Sequence, residues 1–377
     1  MKLNNKVLLS ALPSVMVAGL LILGFFAGRY SAEKDFDKSI RSAVKAFTLE
    51  SLLDDSEKQE LVGIYHDEEK ALEEIDTFSW AVPNIPTPFV GNAPMPGQHG
   101  NAFINREQFR YEKDIDLPKP DNTFRIFITG GSTAFGSGAP SQDRTIAGYL
   151  GRILLQELTP VTKLNYEVVN AANPAWASTH ERILIENKLS ELDPDMVISF
   201  SGNNDVHWGK RGQNVLWFRS NADEYFLTLI KQAYKYTNQP DIPEIIRVET
   251  DKISPLLVSR RLLKNIQLSS FVLSQKGIDY VFVLQPTLAV TGKALTTREQ
   301  TRFKHKYAEY FNKSYTEIDK VLGAFDGENY HYINMANVFD TYGDQEEIFM
   351  DSYHFGDKGN EIIAMNIFLH LKDIIAN

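Results

Sequence analysis

Four side chains in this chain stand where hydroxyl attack on an acyl group can be assembled. Ser132 lies in Gly130-Gly131-Ser132-Thr133, directly after the apolar run Phe124–Ile128. Asn204 lies in Gly202-Asn203-Asn204-Asp205, after a second apolar run, Met196–Ser201. Asp351 precedes His354 by three residues in Met350-Asp351-Ser352-Tyr353-His354. Acyl chemistry at a hydroxyl needs a general base, a carboxylate that holds the base in the right tautomer, and donors for the developing oxyanion. The imidazole and carboxylate meet the first two needs, and an amide side chain at a strand end meets the third. A lone Asp/His pair is more often a surface cap, and a lone Gly-Gly-Ser a tight turn. Their joint occurrence favours catalysis. A phosphate-binding loop is excluded, because no Gly-Lys-Ser/Thr follows the glycines.

The elements that must carry these residues are legible as alternating strands and helices. Strands are expected at Phe124–Ile128, Tyr166–Asn170, Met196–Ser201, Tyr280–Leu284 and Tyr332–Met335, from short runs rich in β-branched and aromatic residues. Helices are expected near 142–158, 179–191, 255–276, 298–322 and 357–375. This alternation predicts an α/β protein with a parallel sheet covered on both faces. Ligands bind at the carboxyl edge of such a sheet, where Ser132 and Asn204 fall. The turn after the second strand, Asn170-Ala171-Ala172-Asn173-Pro174, can add a backbone N–H.

The rest of the chain bounds the setting. Its 377 residues are 43% hydrophobic, enough for a full core, and carry a net charge of −10, which argues against nucleic acid as a partner. The absence of cysteine excludes disulfides and thiolate zinc sites. The histidines show no metal-ligand spacing, so neither metal nor other cofactor is expected. From Val7 to Gly28 there are 22 residues without Asp, Glu, Lys or Arg. As a helix they span roughly 33 Å, and no small-residue cleavage site ends the run. We therefore expect residues 1–32 to be an uncleaved transmembrane anchor, although the Lys/Arg count around it does not set its orientation. Residues 33–76 hold 14 acidic and 6 basic residues, and 33–79 read as an acidic helical stalk, with partner binding as the lesser alternative. Seven prolines between 80 and 122 read as an extended linker or lid. In it, Asn105 to Arg110 is expected to pack on the domain or line its cleft. Residues 206–250, rich in Trp and Tyr, read as an insertion over the cleft, with His207, Trp208 and Trp217 as candidate substrate contacts.

The four blocks, in this order, resemble the SGNH, or GDSL-like, hydrolase superfamily, and in particular its membrane-anchored bacterial members. The resemblance runs from Phe124 almost to the end. It implies a three-layer α/β/α sandwich with a mainly parallel five-stranded sheet, flavodoxin-like, over about residues 123–377. It implies catalysis by Ser132, Asp351 and His354 and an oxyanion hole from Ser132, Ala172 and Asn204. Two positions depart from the family pattern: Gly131 replaces the usual aspartate, and Ala172 stands where a glycine is expected. The implied activity is serine-dependent hydrolysis of O-acyl esters of an envelope or exported carbohydrate, outside the cytoplasmic membrane. An O-acetyltransferase on the same scaffold, or a non-catalytic envelope scaffold binding a protein partner through the acidic stalk, are the alternatives.

Overall fold

The computed structural model describes residues 22–34, 55–212, 230, 231, 233–235, 237, 252–303 and 305–376. The chain divides into two units, one of Met1–Ala46 with Tyr225–Ile242, the other of Phe47–Glu224 with Pro243–Asn377. In the first, residues 22–34 form a solvent-exposed helix. No described helix is long and apolar enough to cross a membrane. Most of the expected 7–28 span lies outside the described residues.

The second unit is organised by five parallel strands, β5 (Thr123–Gly130), β6 (Asn165–Asn170), β7 (Met196–Ser201), β8 (Asp279–Leu284) and β9 (Tyr330–Asn334), in the order β6-β5-β7-β8-β9. Successive side chains on a strand point to opposite faces, so each apolar run feeds two cores. Ile126 and Ile128 of β5 join Met196, Ile198 and Phe200 of β7 in one core, beneath Ile146–Glu157 and Asp357–Ala376. Phe127 and Val197 point the other way, into a core closed by Ser178–Asn187, Pro255–Ser274 and His305–Gly323. The result is a sheet with helices on both faces, and the buried charged side chains within it, Arg125 of β5 and Glu167 of β6, pair with each other at 2.6 Å. The expected helix over 298–322 is two, Thr297–Arg302 and His305–Gly323, because Phe303 leaves the helix with an extended backbone.

Two expectations about the segment before the sheet are corrected. Residues 55–79 are not a solvated stalk. Leu61, Ile64, Tyr65, Ile75 and Phe78 form a core with Met350, and the Tyr65 hydroxyl donates to the Gly138 carbonyl at 2.9 Å. Their apolar spacing records packing against Met350 and its neighbours. The proline-rich stretch is likewise not a free linker. It folds into two antiparallel hairpins, β1 (Asn84–Thr87) with β2 (Gly91–Pro94) and β3 (Gly97–His99) with β4 (Ala102–Ile104), and buries Val82, Ala93, Ala102, Ile104 and Phe109. Prolines are tolerated in such short edge strands, which need few ladder donors. Residues 35–54, 213–229 and 238–251, with Trp217 and much of the acidic segment and the expected insertion, lie outside the described residues.

Candidate active site

Ser132 begins a four-residue helical turn, Ser132–Phe135, at the carboxyl end of β5, which lies between β6 and β7 in the sheet. Gly130 has φ 152°, and a side chain there would collide with the Phe200 carbonyl of β7, so the chain leaves the sheet only through a glycine. Side chains from two other segments brace the turn. Arg110 donates to the Phe135 and Gly136 carbonyls at 3.1 and 2.8 Å, and Asn170 donates to the Ala134 and Phe135 carbonyls at 3.0 and 3.1 Å. Arg110 thus packs against the Ser132 turn, and burial lowers its guanidinium to about 9.

The structure brings Ser132, His354 and Asp351 into one hydrogen-bonded line. Asp351 Oδ2 lies 2.7 Å from His354 Nδ1, and His354 Nε2 lies 2.6 Å from Ser132 Oγ. A carboxylate accepts only, so Nδ1 carries the proton, and the bare Nε2 faces the serine hydroxyl as acceptor. Asp351 Oδ1 also accepts the Tyr353 and His354 backbone N–H groups, both at 2.9 Å. Desolvation pushes the Asp351 carboxyl up, but the His354 imidazole and these N–H groups outweigh it and hold it below the usual carboxylate range. The carboxylate is therefore ionised wherever the imidazole needs support.

The loop carrying Asp351 and His354 is fixed by residues that no local pattern announced. Arg298 binds Glu347 Oε1 at 2.6 Å and donates to the Met350 carbonyl at 2.8 Å and to that of Phe349. Glu299 Oε1 accepts the Ile348 and Phe349 N–H groups, both at 3.0 Å, and Oε2 pairs with Lys293 at 2.8 Å, both side chains fully buried. On the other side, the Leu288 N–H and the Thr287 hydroxyl hold the Ser352 carbonyl, each at 2.9 Å.

Asn204 lies at the end of β7, in the first turn of the helix Asn203–Lys210. Its Nδ2 donates to the Trp176 carbonyl at 2.7 Å, which uses one of its two hydrogens and leaves the other for an oxyanion. Asp205, next in sequence and buried, accepts from the Ser178 hydroxyl and N–H at 2.6 and 3.1 Å. Those bonds tie the Asn204 loop to the Trp176 loop. The missing side chain at Gly131 is what admits this arrangement, since a Cβ there would collide with Asn204 Nδ2 and lie 3.2 Å from the Trp176 carbonyl.

Ala172 does not fit its expected role. It is buried, and its N–H is already donated to Asn170 Oδ1 at 3.2 Å. The unusual residue of that turn is Ala175, with φ 68°. Asn173-Pro174-Ala175-Trp176 is a β-turn closed by the Trp176 N–H on the Asn173 carbonyl at 3.2 Å. Proline at the second position and positive φ at the third belong to type II, so Pro174 was the signal in the sequence. Ala175 borders the Trp176 carbonyl that Asn204 grips, and its N–H has no partner among the described residues. It is the better candidate for the second backbone donor beside the Ser132 N–H.

Trp208 is only 5% exposed and packs against Ala175 and Ala177, so it supports the 173–176 turn and offers no open stacking face. His207 is half-buried, with its ring 6.2 Å from that of Tyr353, which lies in the loop that carries Asp351 and His354.

No protein-family model matches the chain, and no curated protein matches it. Solved structures align with it at low identity. An acetyl xylan esterase, AlAXEase, is 14% identical with a TM-score of 0.41, over 66% of this chain and 100% of its own. An α/β hydrolase enzyme from the metagenome of Lake Arreo, Spain, is 12% identical with a TM-score of 0.41, over 67% and 96%. TesA is 15% identical with a TM-score of 0.39, over 66% and 99%. Likenesses this faint leave the chemistry to be read from the chain's own side chains.

Proposed function

We propose that the chain is a serine ester hydrolase acting on O-acyl esters through an acyl-Ser132 intermediate. The observation that carries this is the unbroken Asp351–His354–Ser132 line, with contacts of 2.7 and 2.6 Å, at the carboxyl edge of the sheet. In acylation, Ser132 Oγ attacks the ester carbonyl carbon as its proton passes to His354 Nε2. The oxyanion faces the Ser132 and Ala175 backbone N–H groups and the spare Asn204 N–H. Collapse breaks the bond to the alcohol oxygen, which takes the proton from His354 and leaves. In deacylation, water repeats the sequence: it gives a proton to His354, attacks the acyl carbon, and the proton returns to Ser132 Oγ as the acid departs.

The substrate class proposed is an O-acylated carbohydrate of the cell envelope or an exported one, met outside the cytoplasmic membrane by a domain tethered through residues 7–28. Water is ranked ahead of a sugar hydroxyl as the acceptor. Cleavage of p-nitrophenyl acetate by the full chain, abolished in Ser132→Ala, is the expected result. Equal cleavage by that variant would overturn the reading. An active alkaline phosphatase fused after Asn377 is the outcome expected for the topology, and an inactive one would reverse it.

A further inference from the structure

Beside the catalytic loop lies a cavity of about 140 Å³, on the Asp351 side of the triad. Its lining includes His207, Arg302, Tyr307, Phe311, Asp351 and Tyr353. Aromatic walls with a few polar groups are how proteins hold sugar-sized rings, because the faces shed water and the edges orient hydroxyls.

The unusual member is Arg302. It is the last residue of the helix Thr297–Arg302, one turn beyond Arg298. Arg298 is engaged through all three nitrogens by Glu347 and the Phe349 and Met350 carbonyls. Arg302 is half-buried, and its guanidinium makes no hydrogen bond or ion pair among the described residues. In a chain of net charge −10, an unpaired arginine in a cavity beside the triad calls for a ligand. Other cations flank it. The Lys210 ammonium lies over the ring of Tyr307, and Arg211, stacked 5.3 Å from Trp208, is close enough to Tyr353 to pull its phenol down against the burial that raises it.

We infer that this cavity is a subsite for a carboxylate-bearing sugar, one ring away from the ester, with Arg302 binding the carboxylate. The inference rests on the ester-hydrolase reading and names its substrate class. A guanidinium fork matches the two oxygens of a planar carboxylate.

The test compares acetate release by the full chain from acetylated oligogalacturonate and from acetylated xylo-oligosaccharide of equal length. Wild type should favour the uronate. Arg302→Gln should lower kcat/KM on the uronate about 10- to 100-fold more than on the neutral sugar, the span for a hydrogen bond to a charged group. That loss should appear in KM, and Arg302→Lys, which keeps charge but not the fork, should fall between. Equal losses on both substrates, or a wild type that prefers the neutral sugar, would overturn the subsite. Calorimetry of unesterified oligogalacturonate with Ser132→Ala separates the two claims. Binding without any ester cleavage by wild type would sustain the subsite and sink the hydrolase reading. Cleavage without binding would do the reverse.

Discussion

The space that a side chain at position 131 would fill is occupied by the amide of Asn204. Gly131 has φ −86° and ψ −156°, a backbone any residue adopts, so its requirement is room. The glycine that looks like a departure from the hydrolase pattern is thus matched by the placement of Asn204 against Trp176.

Gly131→Ala should therefore displace Asn204 and act like removal of one oxyanion donor, a loss of ~10²–10³ in kcat with little change in fold. Steady-state kinetics beside Asn204→Ala check this. The two variants should be similar and the double no worse than either, whereas additive losses would separate Gly131 from Asn204.

Ala175 and Ala172 make opposite predictions on replacement by glycine. A non-glycine residue with left-handed backbone carries roughly 1–2 kcal/mol of strain, against which glycine gives back ~0.5–1 kcal/mol of entropy. Ala175→Gly should leave stability unchanged or raised by up to about 1 kcal/mol, and Ala172→Gly should lower it. Urea midpoints decide, and a stabilising Ala172→Gly would restore position 172 as the strained turn residue.

The buried Lys293–Glu299 pair holds the loop that carries Asp351 and His354. Removing one partner of such a pair typically costs about 3–5 kcal/mol, because the other charge is left buried. Glu299→Gln should lose that much, together with activity below its unfolding temperature as the 347–354 loop loosens. Desolvation raises the Glu299 carboxyl, but Lys293 and the backbone N–H groups lower it on balance. Its contribution is therefore present above the ordinary carboxylate range and lost as pH falls. Unfolding followed from neutral to acid pH should show wild type approaching the variant only at the acid end.

Glu181 works in the opposite sense. Burial pushes its carboxyl up to about 8, Asp205 adding to the rise against the opposing hydroxyl of Ser201 at 2.5 Å, and its Oε2 lacks a partner among the described residues. An acid raised in the folded state contributes stability that is full below its ordinary pKa and lost as pH rises to about 8. Glu181→Gln, which mimics the neutral acid, should gain on wild type steadily between about pH 5 and 8. A stability difference flat with pH would remove Glu181 as the titrating group.

Strands and chemistry were legible for different reasons. β5, β7 and β8 are buried on both faces, so their apolar runs stand out, with ends within two residues of those expected. Ser132 and Asn204 sit in short patterns just after strands, Asp351 and His354 in a short loop pattern, and the chemical types of all four are visible in a string of letters. The loop's anchors were not visible, because Arg298 and Glu299 act on carbonyls and N–H groups about fifty residues away and read locally as one exposed helical turn. Leu61, Ile64 and Tyr65 announced an amphipathic segment but not Met350 as its partner. Ala175 was hidden because backbone conformation leaves little mark on an alanine, except through the proline before it.

The central claim is that Ser132 is the nucleophile, poised by His354 and Asp351. Reacting the full chain with an alkyl fluorophosphonate, followed by digestion and mass mapping, tests it most directly. The account predicts one stoichiometric adduct on Ser132, slowed by orders of magnitude in His354→Ala and absent in Ser132→Ala. An adduct that persists in Ser132→Ala, or maps to another hydroxyl in the wild type, would contradict it.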